Sequence, residues 1–172
     1  AEEEFGRAEL VGSTPAARLM PTIATVVHGV LANIVLALAT ALGFIASGLP
    51  AYGSFVAGAA VGGAGIAFLA VGLLLAQVMS TSRGANGYAA AVVVIAWALR
   101  GIGDAIGTVT SSGTTMVSGW PTWLSPIGWG EQFSPYVQNR WWPLLLQLGV
   151  AAVLIAAVFG LQAVRDSGAG IV

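Results

Sequence analysis

Four long, nearly uncharged apolar stretches constrain this chain more than anything else in it. They lie at 22–46, 54–79, 87–107 and 143–164. Each holds the roughly 20 apolar residues that a helix needs to cross about 30 Å of hydrocarbon. A helix satisfies its backbone polar groups within its own segment, so it is the form expected there. Composition points the same way: 57% of the 172 residues are apolar and 8% are charged, against roughly 25% charged in soluble domains. Six Arg and seven acidic residues cannot solvate the surface of a soluble fold of this size. The expected fold class is therefore all-α, an integral membrane helical bundle forming a single transmembrane domain over 1–172.

Turn chemistry separates the spans. Gly48, Pro50 and Gly53 mark the first connection, and a Ser/Gly/Asn-rich run over 80–86 marks the second. The third connection, 108–142, is longer. It opens on Ser, Thr and Gly and then becomes rich in Trp and Pro. Residues 1–20 carry Glu2, Glu3, Glu4, Arg7, Glu9 and Arg18 without an apolar core, so they are read neither as a span nor as a secretory leader. Thr14-Pro15 is a good helix start, and 1–20 is expected to be a cytoplasmic helical hairpin or elbow leading into the first span. Arg7, Arg18, Arg83 and Arg165 share one side of the membrane if the chain starts inside, and only Arg140 then lies clearly outside. The positive-inside rule thus predicts a multi-pass plasma-membrane protein with both ends cytoplasmic. It places 48–53 and 108–142 outside.

Polar groups within the spans are few, and each has a functional and a plain reading. Arg100 and Asp104 are four residues apart and share a helix face. They are either part of a transport path or outer gate, or a local ion pair near the interface. His28 and Asn33 in the first span could serve a proton relay or a path; interhelical hydrogen bonding is the plainer reading. Gly58 and Gly62 allow close helix approach, at a subunit interface or within one bundle. Five of the six Trp fall between Trp120 and Trp142. The stretch with Trp120, Trp123, Pro126, Trp129 and Glu131 is too polar and too broken by Pro to span, so it is expected as short helices in or dipping into the outer face.

Several classes are excluded. Lys is absent, so no phosphate-binding Gly-x-x-x-x-Gly-Lys loop exists. Cys is absent and His28 is the single His, which leaves no thiolate metal site and few general bases. An enzyme is not expected, and no metal or other cofactor is expected in this chain. A net charge of −1 gives no reason for a nucleic-acid partner.

The order of these features resembles part of a known family. An acidic N-terminal segment is followed by three spans, a broken aromatic segment and a final span. Glu2-Glu3-Glu4-Phe5-Gly6-Arg7-Ala8-Glu9, Trp123-Leu124-Ser125-Pro126-Ile127-Gly128-Trp129-Gly130-Glu131, Arg140-Trp141-Trp142-Pro143 and Arg165-Asp166-Ser167-Gly168 together resemble type-2 ABC exporter permeases. The likeness is to the actinobacterial exporters of polyketide antibiotics. The resemblance implies the last four spans of one permease half. It implies that Glu2, Glu3, Glu4, Arg7 and Glu9 lie on the coupling helix that docks on an ATPase subunit, and that 119–136 forms external re-entrant helices. It implies as partners a separate ABC ATPase carrying ATP and magnesium, the other permease half, the lipid bilayer and a small hydrophobic or amphipathic substrate. A non-transporting membrane scaffold or assembly subunit is the rival reading, and a proton-coupled carrier using His28, Arg100 and Asp104 is a third.

Overall fold

The computed structural model describes residues 15–111, 113 and 116–168. Its long helices are α1 (Pro15–Ala46), α2 (Ala51–Val78), α3 (Ser82–Ala105) and α5 (Trp142–Gly168). All four are long and apolar enough to cross a membrane, so the all-α membrane bundle expected from sequence is the fold observed. Between α3 and α5 lie a two-stranded antiparallel hairpin, a 3-10 turn (Trp120–Leu124) and the short helix α4 (Pro126–Glu131).

Helix α1 opens with Pro15 at its first position and runs without interruption through Pro21 to Ala46. At 1.5 Å per residue its 32 residues reach about 48 Å, more than the hydrocarbon is thick. Pro21 removes the N–H that would bond four residues back, and Thr25 donates its hydroxyl back to the Pro21 carbonyl at 2.8 Å. Residues 1–14, most of the expected elbow, lie outside the described residues.

Helix α2 is the centre of the bundle, in contact with α1, α3, α4 and α5. Small residues make that possible. A Cβ on Gly62 would stand 2.8 Å from the Ala37 Cβ and 2.9 Å from the Asn33 carbonyl oxygen, and one on Gly58 would meet the Ala37 carbonyl. Of the two readings of this Gly pair, packing within one bundle is what the α1–α2 seam shows. Lipid supplies no hydrophobic drive between helices, so close backbone approach is the main source of adhesion there.

Helix α3 begins at Ser82, five residues before the span read from sequence. Thr81 is the reason: its hydroxyl accepts from the Gly84 N–H at 3.1 Å and caps the helix. Residues 82–86, read as connection, are therefore its first turn. Beyond α3, β1 (Thr108–Val109) pairs with β2 (Met116–Val117), Thr108 opposite Val117 and Val109 opposite Met116. This hairpin was not expected from sequence.

The end of the bundle where α1 and α3 finish and α2 and α5 begin is termed the crown. At the opposite end α1 and α5 are joined by the Gln162 amide, which donates to the Thr22 hydroxyl at 2.7 Å.

Candidate functional site

The crown is closed by chain that folds back into it. Ser125 precedes Pro126, a capping hydroxyl followed by Pro at the first helical position. Its Oγ accepts from the Gly128 N–H at 3.3 Å and donates to the Ala96 carbonyl at 2.7 Å. Ala96 lies nine residues inside the end of α3, so α4 starts about 13 Å below that end. Gln147 marks the same level on the other side. It is fully buried, and its amide donates at 3.4 Å to both the Ala60 and the Pro126 carbonyls. Helix α4 is thus a plug packed against α2, α3 and α5. Phe133, fully buried against Val56 and Ala60, fills the space beneath the following turn.

Small residues admit the plug as they admit the α1–α2 seam. Thr122, fully buried, sits where a Cβ on Gly103 or Gly128 would stand. The turn after α4 is tight: Ser134, Tyr136 and Asn139 have φ of 44°, 65° and 49°. Such backbone costs energy in non-glycine residues and persists where its surroundings hold it. Arg140 N–H donates to the Phe133 carbonyl at 2.8 Å and closes the turn. The Tyr136 ring packs on Gly53 and edge-on to Phe44, with its hydroxyl 3.2 Å from Ser54 Oγ. Around the rim, Trp123 stacks on Trp142 with ring centres 5.8 Å apart, and Trp141 Nε1 donates to the Tyr52 hydroxyl at 3.1 Å. Trp120, Trp123 and Trp142 are well exposed, as rings at a membrane–water interface are.

The charged groups gather where the plug meets α3. Arg100 Nε is 3.1 Å from Asp104 Oδ2 and also donates to Glu131 Oε1 on α4. Ser118 Oγ donates to Asp104 Oδ1 at 2.9 Å, which brings the hairpin into the cluster. One guanidinium therefore serves two carboxylates. The Glu131 carboxyl titrates above the usual carboxylate range. Burial is the main cause, the neighbouring Asp104 carboxylate adds to it, and Arg100 opposes both. A cavity of about 570 Å³ opens beside the cluster, lined by Asp104, Ser118, Glu131, Gln132, Gln138 and Arg140 among others.

The other residues singled out in the sequence lie elsewhere. His28 is exposed on the half of α1 remote from the crown, so it does not join Arg100 and Asp104. Asn33 is half-buried, its amide donating to the Gly29 carbonyl at 2.8 Å. With Ala37, Gly62, Gly63, Leu144 and Leu148 it lines an apolar crevice of about 310 Å³ between α1, α2 and α5. Glu2, Glu3, Glu4, Arg7 and Glu9 lie outside the described residues. Ser118, Ser125 and Gln147 were not singled out for the site. The Ser-Pro pair at 125–126 was a legible capping signal, and Gln147 was visible as an amide in an apolar span.

These features define a class: a multi-pass helical membrane protein whose bundle is capped at one end by a short aromatic segment packed among its helices. No protein-family model matches the chain. Over all 172 residues it is 40% identical to a multidrug efflux system permease protein of Mycobacterium tuberculosis, and it spans 29% of that relative's length. Identity at that level over the whole chain makes it a homologue of a segment of an efflux permease, as the resemblance implied.

Proposed function

We propose that the chain is the membrane-spanning part of one half of an ATP-driven exporter that moves hydrophobic or amphipathic drug-like compounds out of the cell. The observation that carries this reading is the 40% identity to the efflux permease across the full 172 residues. Architecture supports it. A bundle closed at one end by a short polar-anchored plug, with an apolar crevice between α1, α2 and α5 below, suits a path that opens by rearrangement. The Arg count across the loops supports cytoplasmic ends, which places the crown outside.

Hydrolysis of ATP with magnesium belongs to a separate ATPase subunit in this reading. Glu2, Glu3, Glu4, Arg7 and Glu9 form the charged surface that meets it, and the other permease half completes the path. Arg100 and Asp104, with Glu131, stand at the outer gate; Asn33 lines the crevice, and His28 faces outward from α1.

The test is co-purification of the full-length protein with a candidate ABC ATPase subunit from the same organism, followed by hydrolysis and efflux assays in lipid. The expected result is a stable complex whose drug-stimulated hydrolysis falls when Glu2, Glu3, Glu4 and Glu9 are changed to Arg. Efflux that persists without any ATPase partner would overturn the reading.

A further inference from the structure

We propose that the crevice between α1, α2 and α5 binds the apolar body of a compound carrying an N–H or O–H donor, and that the Gln147 side-chain carbonyl accepts from that donor.

Gln147 is an amide with one end spent and the other free. It is fully buried. Its Nε2 is committed to two carbonyls, those of Ala60 and Pro126. Two acceptors on that side fix the amide's orientation and turn Oε1 the other way. Oε1 accepts no hydrogen bond from the described residues, and a buried acceptor left so carries a desolvation cost that a donor would relieve. Gly63 marks its position: an added Cβ there would run into Oε1 and stand 3.0 Å from Leu144 Cδ1. Gly63 and Leu144 are both walls of the crevice. Asn33, on the α1 wall, is turned in the same sense. Its Nδ2 is spent on the Gly29 carbonyl, and its Oδ1 lies over Gly65. Both amides therefore have their donors engaged and an acceptor to spare.

The crevice sets the rest of the ligand's chemistry. It measures about 310 Å³, at the low end of small-molecule sites. Apart from Asn33, its lining is Val, Ile, Leu, Ala and Gly. A water would need two to four polar partners, whereas the side chains around Oε1 at this wall are apolar. An apolar body that brings its own donor fits better. Ile34 and Leu148 line the crevice and are exposed on the bundle surface, so entry is sideways from the lipid. Leu144 is half-buried beside Oε1, and its change of rotamer uncovers the carbonyl. The ligand class is thus a membrane-soluble phenol, indole or secondary amide. Calling that ligand an exported compound rests on the exporter reading; binding does not.

The test uses the full-length protein in nanodiscs, without nucleotide or ATPase. Two photoreactive probes share one body: 4-hydroxybenzophenone has a donor and 4-methoxybenzophenone has none. The work is done at about pH 6, where the phenol keeps its proton. After illumination, mass spectrometry measures labelling at Leu148 in the crevice and at the exposed Val153 on the same helix. The ratio of the two cancels partition into lipid. It is expected to be about three- to twentyfold higher for the hydroxyl probe, the range that single hydrogen bonds reach inside membranes. Gln147→Leu should bring the hydroxyl probe down to the methoxy value. Ile34→Trp, at the exposed mouth, should lower the Leu148 ratio for both probes and erase the difference. Equal ratios in the unaltered protein would mean that the crevice takes any apolar chain, lipid included, and would overturn the site. A preference that survives Gln147→Leu overturns it as well. If Gln147→Leu fails to assemble, Ile34→Trp decides, and a preference that survives that change overturns the proposal. Binding as expected in a protein that exports nothing would count against the exporter reading alone.

Discussion

The α1–α2 seam and the plug at the crown solve the same problem by different physics. At the seam, two apolar helices adhere because Gly58 and Gly62 let backbones meet Ala37 and Asn33 directly. At the crown, the plug is tied by donors and acceptors: Ser125 to Ala96, Gln147 to Ala60 and Pro126, Ser118 to Asp104, and Arg100 to Glu131. The difference follows from what each piece must satisfy. Two intact helices bring no unpaired backbone groups to their contact, so shape suffices. A segment of short helices packed among longer ones arrives with helix ends whose carbonyls and N–H groups need partners. Steric change should therefore damage the seam, and polar truncation should damage the plug.

The largest expected effect is at the seam. Gly62→Leu drives a branched side chain into Ala37 and the Asn33 carbonyl and should destabilise the bundle by about 3 kcal/mol, read as a lowered Tm in detergent. Comparable stability would mean that the two helices are not in close contact. Next is Gln147→Ala, which leaves the Pro126 carbonyl without this donor and opens a cavity beside Gly63. About 2 kcal/mol is expected, with faster proteolysis after α4 as a second readout. Ser125→Ala removes the cap of α4 and the bond to α3 together, for about 1 kcal/mol. Smallest is Thr22→Val at the opposite end, which deletes the bond from Gln162. Single interhelical hydrogen bonds in membranes average about 0.6 kcal/mol. If that change proved as costly as Gln147→Ala, the contrast between a polar crown and an apolar remainder would fail.

The spans were legible because apolar length and the absence of charge are properties of sequence alone, and hydrocarbon leaves helix as the available form. The broken aromatic segment was legible for a related reason: Pro126, Trp123, Trp129 and Glu131 cannot be reconciled with a span. Which face of each helix met which neighbour was harder to read. Helix α2 is apolar all round, so periodicity could not say that Gly62 faced α1 while Gly63 faced Gln147. The hairpin at Thr108–Val109 and Met116–Val117 is only two residues deep on each side, too short for alternation to reveal. The link from Arg100 to Glu131 joins positions 31 apart. Helical spacing showed the Arg100–Asp104 pair and nothing of that third member. His28 is the reverse case: its chemistry drew attention, and its place on the exposed side of α1 separates it from the cluster.

The depth of the plug is the claim on which the rest depends, and one cross-link measures it. Ala96→Cys and Ser125→Cys, paired in the full-length protein freed of other cysteines, probe the approach of the start of α4 to the middle of α3 that the bond from the Ser125 hydroxyl to the Ala96 carbonyl makes. After mild oxidation by iodine in lipid, mass spectrometry of the digested protein should find the two peptides joined, and Trp120→Cys in place of Ser125→Cys should give no such product. If Ser125→Cys fails to join Ala96→Cys while both thiols are present and reactive, the segment lies on the membrane face and the plug does not exist.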